Sequence, residues 1–177
     1  MRWTVHGERV IYTSPWVGLH LTDIEIPDGP RFEHHVVRMP FPAVGTILHR
    51  DGAVLLLYRH RFITDTWGWE LPAGRAEAGE SLDEAARRET VEETGWAPGP
   101  LRHLTTYHYA HGLSDGAFAL FLSEGATEVG EPVDVAESER IAWVPVAEVR
   151  ELIARGEMPD GLSLTGLLWA FAFGLLH

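Results

Sequence analysis

The chain has 177 residues, 45% of them hydrophobic and seven of them Trp, which is the composition of a folded domain with a real core and not of a disordered chain. It has no Cys, which excludes a disulfide framework and thiol chemistry. Its formal net charge of −12 argues against a nucleic-acid groove, which needs clustered Lys and Arg, but leaves room for a small anionic substrate where metal ions and a few arginines make the local field positive.

Near the N-terminus, Arg2, His6, Glu8 and Arg9 interrupt any apolar run, so no signal peptide is expected and a cytoplasmic protein is. Three β-rich runs follow: RVIYT, VGLHLTDIEI and RFEHHVVRM. Pro27-Asp28-Gly29-Pro30 is a strong turn between the second and third. Asp51-Gly52 predicts a hairpin joining AVGTILH to AVLLLYRHRF. A helix is predicted from Leu82 to Thr94. Ser81 is its N-cap, Glu84 completes a capping box, and Gly95 suits the left-handed position past its end. TTYHYA and AFALFLS then read as strands linked by the loop HGLSDG, and ERIAWVP as another. VAEVRELIAR has helical spacing and stops at Gly156. The closing stretch Leu162 to Leu176 is too short and too glycine-interrupted for a membrane span, and reads as a buried helix or a subunit contact. Strands, helix, strands and closing helices predict an α+β layering around a mixed sheet.

The acidic helix is the informative element. At about 100° per residue, Leu82, Ala85, Ala86, Glu89, Glu92 and Glu93 fall within an arc of roughly 120°. The three glutamates therefore share the expected packing face, whereas a solvated acidic helix puts its charges opposite the apolar stripe. Glu89 and Glu93, four residues apart, also repel. Half-buried carboxylates need a partner, and hard oxygen donors in this number suit Mg²⁺, with Mn²⁺ equally accepted.

The segment from Gly74 to Trp96 resembles the Nudix box: Gly74, Glu80, Arg88-Glu89, Glu92-Glu93 and Gly95 occupy its charged and glycine positions. Thr90 and Trp96 depart from it, standing where aliphatics are usual. Around the box, Trp69-Glu70-Leu71-Pro72-Ala73-Gly74 and Arg59-His60-Arg61 are similar to runs of the ADP-ribose pyrophosphatase and nucleoside-diphosphate-sugar hydrolase branch, the second run reading Gln-Tyr-Arg there. The resemblance implies an α/β/α sandwich over residues 41–177, preceded by an N-terminal antiparallel β extension over 1–40 that serves as a possible homodimer element.

For activity, the resemblance implies metal-dependent hydrolysis of the diphosphate in a small nucleoside diphosphate derivative, with no nucleic-acid or membrane partner. The alternatives are a nucleoside triphosphate pyrophosphohydrolase and a non-catalytic nucleotide-binding module. The implied metal ligands are Glu89, Glu92, Glu93 and the Ala73 carbonyl, with Arg88 orienting a box carboxylate such as Glu80. The general base is expected at Glu139, with Glu137 as second choice. Arg61, Glu70 and His111 are expected on the substrate side. The loop from Tyr107 to Gly116 is expected to set substrate choice, because His111 and Gly116 depart from the ADP-ribose pattern. His108 beside them has a structural reading as well as a ligand one.

Overall fold

The computed structural model describes residues 1–133 and 138–177. Its strands begin with β1 (Thr4–Thr13), β2 (Gly18–Glu25) and β3 (Arg31–Arg38), paired in that order as an antiparallel sheet. β1 starts five residues before the predicted RVIYT run, and two register shifts let it continue past His6 and Ile11. The β2–β3 turn closes through Gly29 N–H to the Ile26 carbonyl (2.8 Å), with Asp28 at φ 57.

The hairpin at Asp51-Gly52 has both residues left-handed (φ 51 and 73), the geometry that a two-residue turn between twisted strands requires. It joins β4 (Ala43–Arg50) to β5 (Ala53–Arg61). These strands pair only beside the turn, at His49↔Val54 and Arg50↔Ala53, and then splay. The WELPAG run fills the opening: β6 (Thr66–Glu70) pairs with β5, and β7 (Ala73–Arg75) pairs with β4. Between them the Pro72 carbonyl accepts from Thr46 N–H (3.0 Å), and Leu71 N–H donates to Ser163 Oγ (2.9 Å). Neither β6 nor β7 is visible as a strand in the pattern of residues, because both are short and consist largely of the motif.

α1 (Leu82–Thr94) follows, then β8 (Trp96–Pro98), β9 (Leu101–His108), β10 (Ala117–Glu124), β11 (Ala126–Glu128), β12 (Arg140–Pro145), α2 (Val146–Ala154) and α3 (Gly161–Ala172). The mixed sheet runs β12-β5-β4-β10-β9, with β10 parallel to β4 and β12 antiparallel to β5. β8 and β11 form a two-stranded ribbon. The two faces of the mixed sheet carry separate cores. Val44, Ala119 and Phe121 pack with Ala85 and Ala86 of α1. Ile47, Val54, Leu56 and Leu122 pack with Val149 and Leu152 of α2 and Leu167 and Ala170 of α3. This is the expected α/β/α layering. Asp160 caps α3, accepting from Ser163 N–H at 2.7 Å, and none of the described helices is long and apolar enough to cross a membrane.

The chain divides into two compact units, residues 1–42 with 107–117, and residues 43–106 with 118–177. In the first, the 107–117 loop is tied to β3: Val37 N–H donates to the Leu113 carbonyl (2.8 Å), and Met39 N–H to Asp115 (2.9 Å). Arg38 pairs with Asp115 and with Glu8, and its hydrogen bond, with that of Thr22, holds the Glu8 carboxyl down at about 2.

α1 has both expected caps. The Glu84 carboxylate accepts from Ser81 N–H (2.9 Å), and Gly95 N–H donates to the Val91 carbonyl (2.8 Å). Gly95 sits at φ 73, and a Cβ there would overlap the Gly130 carbonyl. Gly95→Ala is therefore expected to lower stability by roughly 1–3 kcal/mol, from left-handed strain plus displacement of the packed backbone. Urea unfolding of the variant measures this, and an unchanged midpoint would contradict it.

Candidate active site

The buried face of α1 is rotated from the one expected. It consists of Ala85, Ala86, Thr90, Glu93 and Thr94, so Glu93 lies at its centre while Glu89 and Glu92 line its edge. Thr90 and Thr94 can be buried because their hydroxyls bond back to the Ala86 and Thr90 carbonyls, which satisfies them without an outside partner. Thr90 at an aliphatic position of the box is thereby explained.

Glu93 is 4% exposed, and both of its oxygens are used. Oε1 accepts from Arg59 Nη1 at 2.7 Å and Oε2 from the Ala73 N–H at 2.8 Å. Burial raises the Glu93 carboxyl above the usual range, against the opposing pull of Arg59. Glu89 is half-buried, and burial pushes it upward too, against the pull of Arg88. It lies over the backbone at Gly74, where a Cβ would overlap its carboxyl group, so only glycine lets the helix approach β7 this closely.

Arg88 binds the rest of the box together. Its Nε and Nη2 hold the two Glu80 oxygens (2.9 and 3.0 Å), Nη2 also donates to the Arg75 carbonyl (3.0 Å), and Nη1 donates to Glu89 (2.9 Å) and Glu92 (3.0 Å). Glu80 is correspondingly held below the usual carboxylate range by Arg88.

The splay of β4 and β5 supplies a second group. Arg61, on β5, forks onto Glu70 at the end of β6, through Nε (3.0 and 3.1 Å) and Nη2 (2.6 Å). Glu70 is buried while Arg61 is half exposed. Both line a cleft of about 480 Å³ with Thr64, Thr66, Pro159 and Asp160. Arg59 lies between the two groups, 2% exposed, with Nε 3.8 Å from Glu70 Oε2. Sequence reading gave Arg59 no role, although strand alternation places it on the same face as Leu55, Leu57 and Arg61, which was the available signal.

Ala73, Arg88, Glu89, Glu92 and Glu93 thus come together, as do Arg61 and Glu70, all within the second unit. Glu139 is exposed at the start of β12. Its N–H donates to the Tyr58 carbonyl (2.9 Å), and it lines a different cavity, of about 360 Å³, with Thr94, Trp96, Glu128 and Glu131. Among the described residues, no hydrogen bond or ion pair joins Glu139 to the box carboxylates. Glu137 lies outside the described residues. His111 belongs to the first unit, where its ring lies 4.7 Å from that of His108, and both line a cavity with His34 and Arg38.

The NUDIX domain model matches residues 39–162. Across 174 residues the chain is 38% identical to a CMP-5'-(N-acetyl-N-hydroxy-3-aminopropyl)phosphonate hydrolase of Streptomyces rubellomurinus, covering 98% of this chain and 84% of the relative. It is 30% identical over 169 residues to an ADP-ribose pyrophosphatase of Mycobacterium tuberculosis, covering 93% and 81%. A solved ADP compounds hydrolase superposes with a TM-score of 0.87 over 98% of this chain and 94% of the other, at 18% identity, which is a likeness of fold. The chain belongs to the Nudix family, and it is an enzyme of the hydrolase kind.

Enzymes of this family generally use divalent metal ions. Among the described residues, no three acidic or His side chains converge as a ready cage, and Arg88 and Arg59 hold carboxylate oxygens of the box. The donor set nevertheless fits a hard cation. Glu89 and Glu93 are carboxylates whose charge burial disfavours, and a bound cation relieves that cost.

The sign of the pH effect follows. Because burial raises Glu89 above 4.5, the folded metal-free chain keeps a proton that the unfolded chain has released, and stability falls as pH rises from about 4.5 through the raised folded value. Glu89→Gln is expected to lose less stability than the wild type across that window. Chemical denaturation in chelator at successive pH values measures both slopes, and equal slopes would contradict the effect.

Proposed function

We propose that this enzyme hydrolyses the P–O–P anhydride that joins a nucleoside monophosphate to a second phosphorus-bearing group. The observation that carries the reading is the buried Glu93 and half-buried Glu89, set in the same unit as a cleft into which Arg61 presents a guanidinium. The curated relatives support it. One is named for ADP-ribose and one for a CMP-linked phosphonate, and both names describe a nucleotide carrying such an anhydride.

Glu89, Glu92, Glu93 and the Ala73 carbonyl would hold Mg²⁺, or Mn²⁺. A divalent ion held there would supply charge to polarise the anhydride and to make water more acidic. Arg88 keeps Glu89 and Glu92 in place through its fork to Glu80, so the donors do not reorganise during the reaction. Arg61 contacts the substrate phosphate, and Glu70 fixes the plane of its guanidinium. Glu139 takes the proton of the attacking water once its end of β12 closes toward substrate.

Residues 1–40 serve as a homodimer element. β1 is exposed along its whole length and displays Val5, Val10, Ile11 and Tyr12, and Trp3 and Trp16 are exposed beside it. An edge strand this apolar is a template for a partner strand or surface. Light scattering is expected to give a dimer mass for the wild type and a monomer for Ile11→Glu with Trp16→Glu. A monomeric wild type would remove the dimer from the reading.

Chromatographic product analysis over ADP-ribose, CMP-linked phosphonates, nucleotide sugars and triphosphates, each with Mg²⁺, tests the substrate class by the nucleoside monophosphate released. Turnover confined to triphosphates would overturn it. Glu93→Gln is expected to lower turnover by about two orders of magnitude or more while remaining folded. In Glu139→Gln the acidic limb of the kcat–pH profile is expected to disappear, and an unaltered profile would place the base elsewhere.

A further inference from the structure

The cleft beside Arg61 has a charge balance that its arginine alone does not suggest. Among the described residues that line it, Arg61 is the one cation, and it shares the cleft with two carboxylates, Glu70 and Asp160. Arg61 commits Nε and Nη2 to Glu70 (3.0 and 2.6 Å), which leaves Nη1 for an incoming group. The field of Asp160 reaches the same guanidinium. Arg61 is held above its ordinary value first by its hydrogen bonds to Glu70, and the Asp160 charge acts in the same direction. The cleft is therefore net negative, although it carries a side chain suited to phosphate.

Asp160 also closes a second source of attraction for anions. It caps α3, whose N-terminal end opens on the cleft at Gly161. Free N–H groups at such an end bind phosphate, helped by the positive end of the helix dipole. Here Asp160 Oδ2 accepts from Ser163 N–H (2.7 Å) and from Ser163 Oγ (2.6 Å), so a carboxylate of the chain takes the place of a bound anion. Ser163 Oγ in turn accepts from Leu71 N–H (2.9 Å), which ties the cap to the crossing between β6 and β7. The other groups in the cleft are the Thr64 and Thr66 hydroxyls, 2.6 Å apart, and the Asp160 carboxylate itself. A hydroxyl or amide can donate to that carboxylate, whereas an ionised phosphate has only acceptors and is repelled by it.

We propose that Asp160 is a specificity-determining residue. Its carboxylate lets the cleft take one phosphate on Arg61 with an uncharged, hydrogen-bonding group beyond it, and turns away a further phosphate. This rests on the reading of Arg61 given above, and it supplies a physical reason for the enzyme to prefer a substituted diphosphate to a triphosphate.

Inhibition by ATP of the hydrolysis of ADP-ribose or of a CMP-linked phosphonate, with Mg²⁺, tests it. The readout is the Ki of ATP relative to the KM of the substrate. Asp160→Asn keeps an oxygen for the Ser163 N–H and removes the charge. It is expected to lower that ratio roughly tenfold at low ionic strength, and the gain is expected to shrink in 0.5 M NaCl, as a charge effect in a water-filled cleft must. Asp160→Ser, a second uncharged cap, is expected to behave alike, which covers failure of either variant to fold. Asp65→Asn, 94% exposed on the turn between Thr64 and Thr66, is expected to leave the ratio unchanged. If the wild type hydrolyses neither substrate, the anhydride reading itself fails. If it hydrolyses one of them and the Asp160 variants keep the wild-type ratio, or Asp65→Asn lowers it as much, Asp160 is only the cap of α3 and the proposal falls.

Discussion

The need to keep buried carboxylates partnered governs the arrangement of this protein. Glu70 and Glu93 are both almost fully enclosed, and each is held by an arginine of β5, Glu70 by Arg61 and Glu93 by Arg59. That is possible because β4 and β5 part after two paired positions and admit the Leu71-Pro72 crossing between them. An uninterrupted β4–β5 ladder would leave no place for β6 and β7. The end of β6 carries Glu70, and the start of β7 carries the Ala73 N–H that caps the second oxygen of Glu93.

Arg88 solves a different problem with the same chemistry. It serves three carboxylates and one carbonyl from a single guanidinium, which lets Glu89 and Glu92 lie close together without direct repulsion deciding their positions. The Arg88 network is anchored to Glu80 on the approach to the helix and to the Arg75 carbonyl, so it ties α1 back to β7 and to the segment that leads into the helix. The Arg59 and Arg61 network instead ends at a half-exposed side chain in a cleft. The first set of charges is closed on the box, and the second reaches solvent at Arg61.

Much of this is legible in residue order. Asp51-Gly52 specifies its hairpin through the left-handed backbone both residues tolerate, and Ser81, Glu84 and Gly95 specify α1 through caps that need no tertiary partner. The spacing of Gly74, Glu80, Arg88, Glu89, Glu92 and Glu93 is enough to state the family and which carboxylates cluster. Less legible was the face that α1 buries. Helical geometry put Leu82 and Glu89 near its centre and Glu92 at its edge, but the buried face is turned toward Thr90 and Thr94, each of which can satisfy its hydroxyl within the helix.

The sequence by itself determined the elements with local causes, the acidic cluster and the class of chemistry, because capping, turn conformation and box spacing act over a few residues. Only the tertiary structure decided that Glu93 is paired with Arg59, that Arg61 and Glu70 form one fork at a cleft, and that His111 folds with the N-terminal sheet. Those pairings join positions from strands and a helix well apart in the chain, and they depend on where β4 and β5 separate. No local preference encodes that separation, which follows from packing WELPAG between two strands.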